Sequence, residues 1–220
     1  MSGEHEFEAV RGLPGDLPQG EKILWQGAPD WLRLSIDAFK IGWVAAYFAG
    51  LIGWRFIDKL SQGEDPLVAF TTAFAVIPLA LMAIALLVGL AWVHARSAVY
   101  TVTDKRVVMR FGAALTKAIN IPFKIIESAS ADVKADGGGC VAVKLVQPNK
   151  IPLLLLWPHR KPGTIRHPEP AFRSIKDAAI CAPILAQALR LAHAQSHATG
   201  EAMSVEVRSQ NPSMSQAVPA

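Results

Sequence analysis

The 220-residue chain is 51% hydrophobic and only 18% charged, and its formal net charge of +4 is small. It lacks the clusters of Lys and Arg with interleaved aromatic residues that nucleic-acid binding requires, so that class of partner is excluded. Its two cysteines, Cys140 and Cys181, are far apart and lack metal-ligand spacing, which argues against a disulfide framework or a zinc site. The apolar residues are concentrated in two segments near the N-terminus, and this predicts a membrane anchor.

Residues 1–37 form an N-terminal segment that we expect on the cytoplasmic side. Its acidic residues do not fit the basic and then apolar pattern of a cleaved signal peptide. Trp25 and Trp31 place large apolar side chains shortly before the first apolar segment. These two residues either rest at the membrane interface or dock on the soluble domain, and the alternative is that they bind a partner protein.

Two transmembrane helices are predicted within residues 38–95. Residues 67–93 contain no charged residue, and a run of about 20 apolar residues is enough to cross a bilayer. Residues 39–57 form a shorter span that requires Arg55 to reach the far interface, and its alternative is an interfacial or re-entrant helix. Five basic residues flank the pair and two lie in the connecting loop, which predicts a multi-pass protein with both termini in the cytoplasm.

Small residues recur along the first of these spans. They are Gly42, Ala45, Ala46, Ala49, Gly50 and Gly53. Because small side chains let helices approach closely, this face is a candidate for binding partner membrane helices, including a second copy of the chain. The alternative is that the small residues seal the two helices of the hairpin against each other.

Short segments rich in Val, Ile and Thr recur about every ten residues across the predicted soluble domain, residues 97–195. The predicted strands are 98–103, 107–111, 117–121, 124–131, 140–147 and 151–157. Asp136-Gly137-Gly138-Gly139 is a predicted hairpin turn between two of them. The pattern predicts an antiparallel sandwich or barrel, so the fold class is a membrane helical hairpin plus an α+β domain.

A C-terminal helix is predicted to close the sheet. Ser174 is its expected N-cap, and Ile175, Leu185 and Leu189 lie on one apolar stripe. Pro183 is expected to kink or split this helix. Residues 196–220 lack hydrophobic periodicity, which predicts a disordered tail.

No arrangement of Ser, His, Cys or paired carboxylates indicates catalysis, so we expect neither an enzyme nor a bound cofactor or metal. Arg160 and Lys161 lie in a short basic loop between two prolines. This loop either contacts lipid headgroups or an acidic partner, or is simply solvated. His94 ends the second span, where a polar interfacial anchor is expected and metal ligation is the alternative.

The sequence Tyr100-Thr-Val-Thr-Asp-Lys-Arg106, placed after an apolar hairpin and before further strands, resembles the bacterial pleckstrin-homology (PH) domain. The stretches 6–14 and 17–31 resemble the opening of the PuhB family of photosynthetic complex assembly proteins of purple bacteria, and the likeness extends to about Ala194. The resemblance implies a PH-like domain in a non-enzymatic factor of the cytoplasmic or intracytoplasmic membrane. This factor would assemble the reaction centre with its light-harvesting antenna by binding their polypeptides. The alternative function is a membrane-anchored PH-like module that binds lipid headgroups or an unrelated membrane protein.

Overall fold

The computed structural model describes residues 12–13, 17–112, 116–148, 151–164 and 167–210. The strands in these ranges are β1 (Ile23–Gly27), β2 (Val99–Thr103), β3 (Arg106–Phe111), β4 (Lys117–Pro122), β5 (Ile126–Val133), β6 (Gly139–Leu145) and β7 (Ala171–Ile175). The helices are α1 (Trp31–Asp37), α2 (Ile41–Ser61), α3 (Pro66–Phe74), α4 (Ile77–Ser97), α5 (Leu153–Leu156) and α6 (Ala178–Gln210). The strands form two antiparallel sheets, ordered β1-β2-β3-β4 and β5-β6-β7.

The helical hairpin, which consists of α2 to α4, is inserted in the chain between the first and second strands of the sheet domain. β1 pairs antiparallel with β2, with Gly27 opposite Tyr100, although α1 to α4 lie between the two strands in the sequence. Lys22 and Asp104 extend this pairing, since the backbone N–H of Lys22 donates to the Asp104 carboxylate at 3.0 Å. The sequence predicts residues 1–37 as a segment separate from the domain. In the structure, part of that segment, β1, is a strand of the domain itself.

The core of the sheet domain holds a column of aromatic rings between the two sheets and α6. Trp25 of β1 stacks on Phe172 of β7 with ring centroids 5.6 Å apart, and Phe172 stacks on Tyr100 of β2 at 4.8 Å. The indole N–H of Trp25 donates to Asp177 at 2.8 Å. α6 covers the column with buried apolar side chains that include Cys181 and Leu185. Burial of these large rings ties β1, β2 and β7 together.

The hairpin helices are apolar and mostly unburied. α3 and α4 together run from Pro66 to Ser97 and are long and apolar enough to cross a membrane. α2 passes the same test only together with α1, from which it is bent by 57°. α2 packs against both α3 and α4. Length and composition therefore support one span, and a second only if α1 and α2 are taken together as one bent helix.

Two segments of the sheet domain differ from their predicted structure. Within the predicted strand 151–157, Leu153–Leu156 form the short helix α5, and Pro152 and Pro158 on its two sides lack the backbone N–H that a strand ladder needs. Ser174 lies in β7 instead of capping a helix, and its φ of 53° is left-handed. The helix begins at Ala178, where the carbonyl oxygen of Asp177 accepts from the N–H groups of Ile180 and Cys181.

α6 is longer than the sequence predicts. It continues through Pro183 as one helix and ends at Gln210, so residues 196–210 of the predicted tail have a helical backbone. Residues 211–220 lie outside the described residues. The other five predicted strands occur in the structure as β2 to β6, with their ends shifted by a few residues.

Candidate functional site at the base of the hairpin

α1 joins the hairpin to the sheet domain and is held at both ends. At its start, Asp30 accepts from the backbone N–H of Arg33 at 2.9 Å and pairs with Lys176 at 3.1 Å. At its end, both carboxylate oxygens of Asp37 accept from Lys134 Nζ at 3.1 Å. Burial alone would raise the pKa of Asp30, but the bonds of Asp30 to Arg33 and Lys176 hold that pKa below its usual value. The ion pairs fix the direction in which the chain enters α2.

The middle of α1 rests on the turn between β5 and β6. The Arg33 guanidinium pairs with Asp136 at 2.7 Å and lies over Gly138, where a Cβ would collide with it. Gly137 has a φ of 79°, which favours glycine. The predicted turn at Asp136 to Gly139 is confirmed. Its glycines serve two purposes, a left-handed turn residue and a close approach of α1.

Aromatic rings form a second joint between the hairpin and the domain. Phe39, just before α2, lies edge-on to Trp157 with ring centroids 5.3 Å apart and is 6.0 Å from His94. His94, near the end of α4, lies 5.8 Å from Trp157 and 6.4 Å from His159. Leu34 of α1 is fully buried and belongs to the same apolar cluster as Phe39. Both ends of the hairpin are therefore packed against the same part of the domain.

Tyr100 and His159 form a buried polar pair behind this joint. The hydroxyl of Tyr100 lies 2.6 Å from His159 Nδ1, and both residues are 0% exposed. The Arg173 backbone N–H also faces this hydroxyl, and the tautomer of the His159 imidazole sets which of the two side chains donates in the pair. Burial lowers the pKa of His159 to about 3. His159 Nε2 is buried and has no hydrogen-bond partner within the described ranges.

A polar pocket of about 110 Å³ lies where α1 meets β5, β6 and β7. Its charged and hydroxyl lining residues are Asp37, Lys40, Asp132, Lys134, Arg173 and Ser174. A larger cleft of about 370 Å³ adjoins it and shares Asp132, Cys140 and Pro162. Sequence reasoning missed this pocket. Its one local signal is Arg173, a charged residue within the otherwise apolar or small segment 171–175.

The two tryptophans predicted as partner-binding residues have different surroundings. Trp25 is 7% exposed and belongs to the aromatic column of the core. Trp31 begins α1 and is 43% exposed. Of the two, only Trp31 offers a surface to another molecule.

The small residues of α2 face away from the rest of the hairpin. Gly42, Ala46, Ala49, Gly50 and Gly53 are all exposed. A Cβ added at any of the three glycines would meet no atom within 4 Å. The larger side chains of α2 that are partly buried, including Val44 and Phe48, lie on another face. Within this chain, the small residues therefore do not seal the hairpin.

The basic loop is engaged with the protein. Arg160 is half-buried and donates to the carbonyl oxygens of Lys161 and Thr164 at 3.4 and 3.2 Å. Lys161 contacts Ser130 at 3.2 Å and Glu169 at 3.1 Å.

Among the residues that the structure describes, no three His, Cys, Asp or Glu side chains are grouped to hold a metal ion.

The strands from β2 onward and the inserted hairpin lie within the range matched by a known protein family. The model described as "Bacterial PH domain" matches residues 39–180, which is more than half of the chain. The chain belongs to this bacterial PH domain family. The match starts just before α2 and therefore includes the hairpin but not β1.

A curated relative covers more of the chain. It is 38% identical over 186 residues, which are 84% of this chain and 87% of the relative. Its description is "Uncharacterized 23.7 kDa protein in puhA 5'region", from Rhodobacter capsulatus. No solved protein structure shows a significant match.

Proposed function

We propose that the chain is a non-enzymatic assembly factor for the photosynthetic reaction centre and its light-harvesting antenna. In this proposal α2 and the α3–α4 helix both cross the cytoplasmic or intracytoplasmic membrane, and both termini are cytoplasmic. The factor acts by binding reaction-centre or antenna polypeptides through their membrane helices.

The outward small-residue face of α2 carries the proposal. Its three glycines have open space where a side chain would be, and no other part of the described chain covers them. In a membrane, helices associate by close packing rather than by the hydrophobic effect, and small residues allow their backbones to approach. An uncovered face of this kind suits a helix from another polypeptide.

The comparisons support the biological setting of the proposal. The relative from Rhodobacter capsulatus is described by its position in the puhA 5' region, which suggests a photosynthesis-operon context. The likeness of residues 6–14 and 17–31 to photosynthetic complex assembly proteins points in the same direction. The apolar α3–α4 helix supports an attachment to a membrane.

The rigid base of the hairpin supports a binding role as well. The N-cap of α1 is ion-paired to Lys176, directly after β7, and Arg33 of α1 to the turn between β5 and β6, while Phe39 and His94 pack on Trp157. A helix fixed at its base presents one face in a constant direction. That arrangement lowers the ordering cost when a partner helix docks.

A membrane-anchored module that binds lipid headgroups through the basic loop is the competing function. Arg160 and Lys161 are its sequence-based candidates, and both already contact protein groups. We therefore rank this second function below helix binding.

The test is genetic complementation in a phototrophic bacterium from which this gene is deleted. We expect the deletion to lower the absorbance of the assembled reaction centre and antenna, and the intact gene to restore it. Ala46→Leu and Gly50→Leu should restore much less, because a leucine on this face keeps a partner helix at a distance.

Gly89→Leu is the matched control. Gly89 on α4 also has open space around it, but its neighbours Leu86 and Leu90 are large and exposed. Because these leucines already keep any partner helix at a distance from Gly89, a further leucine there should change nothing. This variant should therefore complement fully. Full complementation by Gly50→Leu, or an unchanged spectrum after deletion, would reject the proposal.

A further inference from the structure

Arg173 of β7 stands in the polar pocket without a carboxylate partner. Its guanidinium donates to the backbone carbonyl oxygen of Asp37 at 2.7 Å, and it forms no ion pair with any described residue. Burial lowers the pKa of Arg173, because the half-buried cation loses hydration that the nearby Asp37 carboxylate, already paired with Lys134, offsets only in part. A half-buried guanidinium without an ion pair of its own favours an added anion.

The other charges of the pocket leave room for one negative charge. Lys134 is neutralised by Asp37, and Asp132 is exposed at the rim. Lys40 is exposed and has no ion pair within the described part of the chain. The lining therefore carries three basic and two acidic side chains, an excess of one positive charge. This excess matches a monoanion better than a dianion.

The pocket also has the size and the position for a phosphate group. Its volume of about 110 Å³ equals that of a few water molecules, each of which takes about 30 Å³ in the liquid. Lys40 directly precedes α2, so the pocket opens beside the start of the proposed first span. The adjoining cleft of about 370 Å³ gives a substituent of the phosphate a place to lie.

We propose that this pocket binds the phosphodiester of an anionic phospholipid, with Arg173 and Lys40 as its cationic ligands. The guanidinium can donate two parallel hydrogen bonds to phosphate oxygens, and the lysine adds a point charge at the mouth. The headgroup alcohol then extends into the adjoining cleft near Ser130. This site differs from the Arg160 and Lys161 loop and does not require the assembly role.

The test measures binding of short-chain phosphatidylglycerol to the full-length protein in non-ionic detergent by ³¹P NMR titration. Arg173→Gln keeps an amide donor for the Asp37 carbonyl but removes the charge, and we expect affinity to fall about tenfold or more. Lys40→Gln should weaken binding less, since Lys40 is exposed. Arg110→Gln is the matched control, because Arg110 is also half-buried and donates to a backbone carbonyl, that of Leu13, but lies outside the pocket, and it should leave affinity unchanged.

Three results decide the proposal. Loss of affinity in both pocket variants but not in Arg110→Gln supports it, and Lys40→Gln alone carries the test if Arg173→Gln does not fold. Equal affinity in Arg173→Gln and the unaltered protein, or an equal loss in Arg110→Gln, overturns it. Inorganic phosphate that binds as tightly as the lipid and displaces it would overturn the lipid as the occupant and assign the site to free phosphate.

Discussion

The sheet domain and the helical hairpin differ in how far their side chains are buried and paired within the chain. In the domain, Tyr100, Phe172 and Ile175 are fully or almost fully buried, and polar groups at the base of the hairpin are paired. In the hairpin, none of the 21 residues of α2 is fully buried, and Trp43 is 77% exposed. A water-soluble protein rarely exposes so continuous an apolar surface.

This difference teaches where each region obtains its stability. The domain is stabilised by contacts within the chain, so its sequence alone determines its packing. The hairpin has contacts within the chain only along one side, and its remaining surface suits lipid or the helices of another protein. Changes in the domain should therefore alter folding, whereas changes on the outer face of α2 should alter binding.

Trp25→Ala should have the largest effect on folding. Truncation removes a buried ring from the aromatic column and a hydrogen bond to Asp177, at a cost of about 3–5 kcal/mol in the free energy of unfolding. Urea unfolding of the full chain in detergent, followed by circular dichroism, measures this cost. Trp31→Ala is the control, because Trp31 is 43% exposed, and a cost of Trp25→Ala no larger than that of Trp31→Ala would contradict the placement of β1 in the core.

Acidification should destabilise the sheet domain. The pKa of His159 falls from about 6.5 in the unfolded chain to about 3 in the buried pair with Tyr100, so only the unfolded state gains a proton between these values. Stability should be constant above pH 6.5 and fall by about 1.4 kcal/mol for each pH unit below it. Urea midpoints measured at pH 7.5, 6.0 and 5.0 provide the slope.

His159→Gln is the matched variant for this pH dependence. It removes the titrating group, so its stability should change much less between pH 6.5 and pH 5. A slope that is unchanged in this variant would assign the acid sensitivity to another group. Glu21 and Asp30 contribute only at lower pH, because hydrogen bonds hold the pKa of each carboxyl below its usual value despite burial, which acts to raise it.

Glu21→Gln should have the smallest effect of the three. The Glu21 carboxylate forms two hydrogen bonds of 2.8 Å to Arg106 and ties the residues before β1 to β3. Loss of the charge should cost about 1 kcal/mol, because Arg106 remains partly hydrated. Thermal unfolding of the variant beside Lys22→Gln measures this cost, and an equal shift in both variants would contradict a specific role for the pair.

The elements that sequence reasoning could predict are those with local signals. The charge-free run that became α3 and α4 and the strands β2 to β6 each show their period or turn residues within a few positions. β1 has no such signal, because its five residues form a strand only by pairing with β2. Gln26 and Thr101, which are hydrogen-bonded across these two strands, lie 75 residues apart.

Local signals also misled the prediction where tertiary contacts decided the outcome. Ser174 has the residue type of a helix N-cap, but its hydroxyl lies 3.3 Å from Asp37 and its backbone carbonyl accepts from Asp30 at 2.8 Å. These bonds to the α1 region hold it in β7. The polar pocket was missed for the same reason, since its residues come from four separate segments of the chain.

The most direct test of the account is site-specific photo-crosslinking from α2 in phototrophic membranes. A photoreactive residue at Ala46, on the outer small-residue face, should crosslink to a reaction-centre or antenna polypeptide. The same residue at Leu51, which is partly buried toward the hairpin, should crosslink only within the chain. Crosslinks from Ala46 to lipid or to a second copy alone, or partner crosslinks from Leu51 instead, would contradict the account.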